Sequence, residues 1–323
     1  YAIIYKREGK DPDEQKIAAP KITPIVTNRD SQSEFLSEIQ TSQVQPIEPV
    51  FVDYKKDMSQ FEAQPGIDVL YKKNETNDIF TLIYVFNTGT ENDPALNLAF
   101  NYLSYLGTDK MTAEEIASEM YDIACSFYMN AGANQSSIQI TGLSENMGKA
   151  MEIVEGLIAG AKPDEAILEN LKGDMLKSRA DAKLNQSRCF GALQRYLFYG
   201  GDFIRRTTLT DPALQALTSE QLLAKIGGLM GKQHEVLYYG PQKEAEVKSA
   251  LAEHHKVAAD LQPLEKKFST LLPTDANKVV LAQYDAKQLY YLQFSNRGEK
   301  FDVAADPEIT LYNEYFGGGM NTI

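Results

Sequence analysis

The sequence predicts an α+β fold, with helices on one face of a mixed or antiparallel sheet. Three observations lead there. Runs rich in β-branched and aromatic residues, "GIDVLYKKN", "DIFTLIYVFNTG", "SSIQITGL" and "HEVLYYG", read as strands. Between them lie amphipathic stretches with explicit helix-start signals. The two types come in blocks rather than in strict βαβ alternation. At 323 residues, with 43% apolar and 24% charged, the chain has the make-up of a globular protein and the length for more than one domain.

Taken in order, residues 9–48 are polar and interrupted by Pro12, Pro20, Pro24 and Pro46, with Pro49 just beyond. They read as an extended linker in which only "SEFLSEIQ" makes a helical turn or two. The globular part starts near Val50. The first two strand runs, joined by residues 74–77, are expected to pair with each other. Asp93-Pro94 opens an apolar helix, "LNLAFNYLSYLG", with Pro94 expected at its first position, where a missing N–H costs nothing. Thr112 and Glu115 form a capping box for a helix whose Ile116, Met120, Ile123 and Phe127 share one face. "SSIQITGL" alternates as a strand, and Met147, Met151, Val154 and Ile158 trace the buried face of the next helix. The pattern is helical again from Lys162 to about Phe198, mostly polar and exposed. Thr218 or Ser219 caps "EQLLAKIGGLM". "HEVLYYG" is a strand, and "PQKEAEVKSALAEHH" is a helix expected to begin at Pro241. After a second hinge, "KVVLAQYD" and "KQLYYLQFSN" read as two further strands.

The net charge of −13 excludes sequence-independent nucleic-acid binding and an anionic membrane surface as partners, since both need a basic face. It suits solubility, and secondarily the attraction of basic peptides. No run approaches a membrane span. Cys125 and Cys189 are far apart, in no CxxC spacing and among apolar neighbours, so they read as buried free thiols rather than zinc ligands. Of the three histidines, His254 and His255 are sequence neighbours at a helix end and His234 is remote, which is no metal-binding spacing. Gly317 to Gly319 lack the lysine of a phosphate loop and read as a helix-ending turn. There is no G-x-S-x-G elbow.

Residues 78–107 are echoed in residues 287–317. Each has an aromatic-rich strand, a Phe and a turn Gly (Phe86 and Gly89; Phe294 and Gly298), then Asp-Pro (Asp93-Pro94; Asp306-Pro307) opening an apolar helix that stops at Gly. The copies lie about 210 residues apart, a domain-scale period.

Together these features resemble the M16 (pitrilysin-like) zinc metallopeptidases over residues 50–323. The resemblance rests on the order of Gly107-Thr108, the following helix, "NAGANQSSIQITGLSENMGKAMEIVEGL" and the closing "YNEYFGGGM". It implies a LuxS/mitochondrial-processing-peptidase-like domain followed by a truncated second copy. The corresponding division is an inter-half linker (1–48), an M16-like domain (49–265) and the start of a second (266–323). The chain begins without Met and ends in mid-element, so it is expected to be a piece of a longer protein.

Active members of that family carry HxxEH on the helix before Gly-Thr: two imidazoles hold zinc and the glutamate takes a proton from the bound water. Counted back from Gly107-Thr108, those positions hold Leu98, Asn101 and Tyr102. The family's further glutamate ligand falls between Met175 and Arg179, where Asp174 is the nearest carboxylate. No catalytic, cofactor-binding or metal residue is therefore expected in this chain, and zinc is expected in the parent's N-terminal half. The resemblance implies a non-catalytic C-terminal portion whose partners are that catalytic half and the peptide substrate. Exposed apolar surface on the second copy suggests a dimer through it. Two alternatives remain: a non-enzymatic assembly subunit of the same fold, and an unrelated ligand-binding α+β protein.

Overall fold

A computed structural model describes residues 5, 9, 18–24, 31–264, 269–298 and 300–317. The chain divides into two compact units between Phe51 and Val52. Among its described residues the first carries one helix, α1 (Glu34–Thr41), started by Ser33, whose side chain accepts from the Leu36 N–H. It has no buried residue, and its Phe35, Leu36 and Ile39 are exposed.

The second unit is built on a six-stranded mixed sheet in the order β1-β2-β6-β3-β5-β4. The strands are β1 (Ser59–Gln64), β2 (Ile67–Lys73), β3 (Ile79–Phe86), β4 (Cys125–Ala131), β5 (Ser136–Leu143) and β6 (His234–Gly240). The helices are α2 (Tyr54–Asp57), α3 (Leu96–Leu103), α4 (Ala113–Asp122), α5 (Met147–Gly160), α6 (Glu165–Lys183), α7 (Gln186–Thr207), α8 (Asp211–Ala216), α9 (Ser219–Met230), α10 (Glu244–His254) and α11 (Asp306–Phe316).

Strand alternation sets the layers. On β3 the side chains of Phe80, Leu82, Tyr84 and Phe86 are buried, as are Ile138 and Ile140 on β5 and Val236 and Tyr238 on β6. These period-two positions share one face, which packs with Leu98, Tyr102, Met151, Val154, Leu222 and Ile226 into a single core. Thr81 and Ile83, Gln139 and Thr141, Glu235 and Leu237 point to the opposite face and are only partly covered. Full burial of each large apolar side chain contributes about 1.5–3 kcal/mol.

Several expectations need correction. β2 and β3 do not pair with each other. β6 lies between them, parallel to β2 (Ile67 opposite His234) and antiparallel to β3 (Leu82 opposite Tyr238). A central strand buried on one face competes for both neighbours, and no local pattern encodes that insertion. β1 takes the edge, antiparallel to β2. Pro94 is not at the first helical position: Asp93 Oδ1 accepts from the Ala95 N–H at 2.9 Å, and the resulting turn delays the helix to Leu96. Pro241 also stands before its helix, because residues 241–242 turn with Gln242 N–H on the Tyr238 hydroxyl and Lys243 is the cap. Phe127 belongs to β4, since α4 ends at Asp122. Residues 278–285 and 287–296 are not strands. Among the described residues neither finds a ladder partner, and an unpaired strand leaves its backbone groups unsatisfied. They run beside α7 instead, with Gln186 Nε2 donating to the Gln288 carbonyl (2.7 Å), Lys278 over the Tyr196 ring and Phe294 against Phe198.

The capping box at Thr112 forms as expected; of the two caps offered for α9, Thr218 is the one used, and it closes a capping box with Gln221. Between α4 and β4, Ala124 sits at φ 50°, a left-handed conformation in which a Cβ costs about 1–2 kcal/mol. Ala124→Gly is accordingly expected to stabilise the fold by about 0.5–1 kcal/mol, after the extra entropy of a glycine in the unfolded chain is deducted. A urea midpoint would show it.

Candidate functional site

The helix that raises the catalytic question is α3, and its surroundings are set by two backbone clamps. The loop from Asn87 to Ala95 folds onto the β4–β5 turn: Thr90 N–H donates to the Gly132 carbonyl (2.8 Å) and Glu91 N–H to that of Ala133 (2.9 Å). Gly89 is required there. A Cβ would lie 2.4 Å from the carbonyl oxygens of Gly132 and Ala133. Ser136 Oγ closes the clamp on the Thr88 carbonyl at 2.8 Å. At the other end, Lys162 N–H holds the Gly107 carbonyl (2.9 Å) and Thr108 N–H that of Met111 (2.7 Å).

Within α3, Leu98 is 2% exposed and Tyr102 is fully buried, whereas Asn101 is exposed. Asn97 and Asn101, one turn apart, make the solvent-facing stripe. Asn97 Nδ2 lies 3.5 Å from the Ala131 carbonyl at the end of β4. Tyr102 joins three elements through its hydroxyl. It accepts from the Asp164 N–H at 2.7 Å, ahead of α6, and lies 2.7 Å from Ser219 Oγ, the fully buried first residue of α9. Ser219 N–H in turn donates to Glu165 Oε1 at 3.0 Å. The three positions thus hold a hydrocarbon, an exposed amide and a phenol whose oxygen is already engaged.

Asp174 is exposed on α6. Arg179, five residues further, is a connector: it pairs with Asp211 and donates to the Leu209 carbonyl at 2.7 Å. Among the described residues no group of three or more His, Cys, Asp or Glu side chains gathers that could hold a metal ion. Leu98, Asn101 and Tyr102 do not fit zinc, because they present no imidazole and no free carboxylate. Cys125 is a buried free thiol, pushed up from its ordinary range by burial, and Cys189 is half-buried.

Among the described residues β4 is an edge strand, bonded only to β5. Its outer N–H and C=O groups are available to an added strand, as any sheet edge is. A separate groove of about 1300 Å³ opens between α7 and residues 272–294, lined by Phe190, Leu193, Leu197, Leu281 and Tyr290 among others.

The three histidines are not dispersed as their spacing suggests. His254 stays at the end of α10. His234 and His255, both buried, meet with their Nε2 atoms 2.9 Å apart. His255 Nδ1 is 2.5 Å from Glu155 Oε1 of α5, and His234 Nδ1 is 2.8 Å from the Lys232 carbonyl. Burial holds His234 down, to about 4 from an ordinary 6.5; the Lys232 carbonyl opposes that shift and the facing His255 adds to it. Tyr84 packs on the His255 ring, and burial beside Glu155 pushes its phenol well above its usual range. The available signal was the phase of β6: if Val236 and Tyr238 face inward, His234 must as well, and a buried imidazole needs a partner.

No family model and no curated protein matches this sequence. Solved structures do resemble it. The peptidase M16 inactive domain from Pseudomonas fluorescens aligns with a TM-score of 0.57 at 16% identity, over 65% of this chain and 52% of that one. The periplasmic protease PqqL from Escherichia coli aligns at 0.56 and 14% identity, over 78% of this chain and 28% of that one. The first half of the same protease aligns at 0.53 and 11% identity, over 67% of this chain and 49% of that one. This chain spans about half the length of the inactive domain and of the PqqL half. No helix among the described residues is long and apolar enough to cross a membrane. An inactive domain and the first half of a protease thus match the same architecture, and fold alone does not distinguish them. What the likeness establishes is that this chain has the α+β fold of M16 peptidase domains.

Proposed function

We propose that this chain is a non-catalytic, C-terminal portion of an M16-type zinc peptidase. In this reading it forms chamber wall and contacts the peptide, while zinc-dependent hydrolysis belongs to an N-terminal half of the same protein. The observation that carries the reading is α3: the positions matched to HxxEH hold Leu98, Asn101 and Tyr102, and two of the three are committed to the core. The zinc reaction needs a metal held by two imidazoles one turn apart and a carboxylate to take the water proton. Neither function is available from these side chains.

Peptide contact is supported by the free edge of β4. Its far end lies beside Asn97 of α3, so a strand added there would pass the exposed Asn97–Asn101 stripe. The partly covered sheet face, with Thr81, Ile83, Gln139 and Leu237, offers a mixed polar and apolar wall. Helix α11 exposes Ile309, Leu311, Tyr312, Tyr315 and Phe316, and the same reading expects a second copy or the catalytic half to cover them.

The test is zinc content and cleavage. After dialysis against buffer with trace zinc, elemental analysis is expected to find far less than one zinc per chain, and the chain alone to cleave no peptide in a zinc-dependent manner. One tightly held zinc per chain, or chelator-sensitive proteolysis by this chain, would overturn the reading.

A further inference from the structure

The sheet face turned away from the core carries rows of side chains fixed by strand register. Residues directly opposite each other on neighbouring strands point to the same face. Glu62 of β1 stands opposite Asp68 of β2, and Asp68 stands opposite Glu235 of β6. Their chain neighbours Phe61, Ile67, Val69, His234 and Val236 turn to the core, so the three carboxylates lie side by side on the outer face. Glu62 and Asp68 are exposed and Glu235 is half-buried. Adjacent strands are about 4.8 Å apart, so the row sets three negative groups within about 10 Å. Two residues along each strand the next row is apolar: Leu70 stands opposite Leu237, and Leu237 opposite Ile83. All three are partly exposed.

Like charges set directly opposite each other cost stability. Among the described residues none of the three carboxylates makes an ion pair that would offset this. Their bonds are to neutral groups: Glu62 Oε1 accepts from the Gly66 N–H (3.1 Å) and Glu235 Oε1 from Asn87 Nδ2 (3.3 Å). Lys72, the one base on the strands of this face, is two rows from Asp68, opposite Tyr239. A positive group laid over the acidic row would remove the repulsion. A second copy of this chain is the wrong occupant: its net charge is −13, and face to face it would set one acidic row against another.

We propose that this face docks a peptide segment in which Lys or Arg stands beside apolar side chains. The cation lies over Glu62, Asp68 and Glu235, and the apolar side chains cover Leu70, Leu237 and Ile83. On the peptide-contact reading, on which this rests, the peptide is thus a basic and amphipathic one. The two rows are about 7 Å apart, the distance between alternate residues of an extended chain. A basic side chain and an apolar one two positions away therefore reach both rows at once. Arg fits better than Lys, because its guanidinium presents a planar fork of donors that bonds more than one carboxylate oxygen.

The test is fluorescence anisotropy with the 323-residue chain and labelled peptides built on one Ala/Leu frame, their polar positions filled by Arg, by Gln or by Glu. The Arg peptide is expected to bind about tenfold more tightly than the Gln peptide, and the Glu peptide most weakly. Raising salt from about 0.05 to about 0.3 M should remove most of that preference. Glu62→Gln, Asp68→Asn and Glu235→Gln together keep the two neutral bonds and relieve the repulsion, so the fold is retained. They are expected to bring the Arg peptide down to the affinity of the Gln peptide. Asp68→Asn alone, in the middle of the row, should weaken it about threefold and serves if the triple variant does not fold. Glu114→Gln, Glu119→Gln and Asp122→Asn, exposed on α4, remove the same charge elsewhere and should leave the preference intact. Equal affinity for the Arg and Gln peptides would overturn the proposal while peptide contact stands. So would a preference that survives the sheet-face substitutions, or one that the α4 substitutions abolish equally. If no peptide binds, the peptide-contact reading itself fails and the proposal falls with it. A dimer of the chain that the sheet-face substitutions dissociate would put a second copy on this face and overturn the proposal as well.

Discussion

Tyr102→Ala is expected to destabilise the chain by about 3–5 kcal/mol, the largest single loss on α3. The ring is fully buried, and its hydroxyl ties α3 to the residue before α6 and to the first residue of α9. Truncation leaves a cavity and strips Asp164 N–H and Ser219 Oγ of a shared partner. Tyr102→Phe separates the two effects: it keeps the ring and should cost about 1–2 kcal/mol for the orphaned groups. Asn101→Ala, on the exposed stripe, should stay within about 0.5 kcal/mol of wild type. Urea unfolding of the three variants measures the series. A neutral Tyr102→Ala would mean that α3 is not fastened as described, and would reopen the question of what occupies that side of the helix. The same series bears on chemistry: rebuilding HxxEH with Leu98→His, Asn101→Glu and Tyr102→His would bury two imidazoles in place of a leucine and a phenol. The expected product is an unstable chain rather than a zinc site.

What was legible in the sequence follows the range of the interactions. Thr112 and Thr218 announce their helices because a capping box closes within four residues. β5 and β6 are visible because burial on one face forces a period of two. The helix α3 is visible as an apolar run, and the resemblance of its setting pointed to the M16 fold that the solved structures share. What escaped is long-range. The insertion of β6 between β2 and β3 joins residues about 165 apart in sequence, and no turn or period records it. Residues 278–296 have the composition of strands, yet composition does not supply a neighbour to bond with. The His234–His255 contact escaped for the same reason: adjacent His254 and His255 drew attention to their own spacing, whereas the partner of His255 lies on a strand that only the fold brings near.

The second large effect concerns acid stability, and its sign can be worked out from His234. Its folded-state value is lowered to about 4 from 6.5, chiefly by burial. Between those values the unfolded chain binds the proton and the folded chain does not, so acid favours unfolding. The contribution is fully present above pH 6.5, is lost progressively as pH falls to about 4, and is constant below that. A shift from 6.5 to about 4 corresponds to about 3 kcal/mol. Many carboxylates also titrate over this range, so the quantity to measure is the difference in unfolding free energy between wild type and His234→Gln at pH 7, 5.5 and 4.5. That difference is expected to move against wild type by about 1–3 kcal/mol on descending the series. A difference independent of pH would mean that His234 is as easily protonated in the folded chain as in the unfolded one. A charged His234 would then donate from Nε2 to His255 Nε2 while His255 donates from Nδ1 to Glu155.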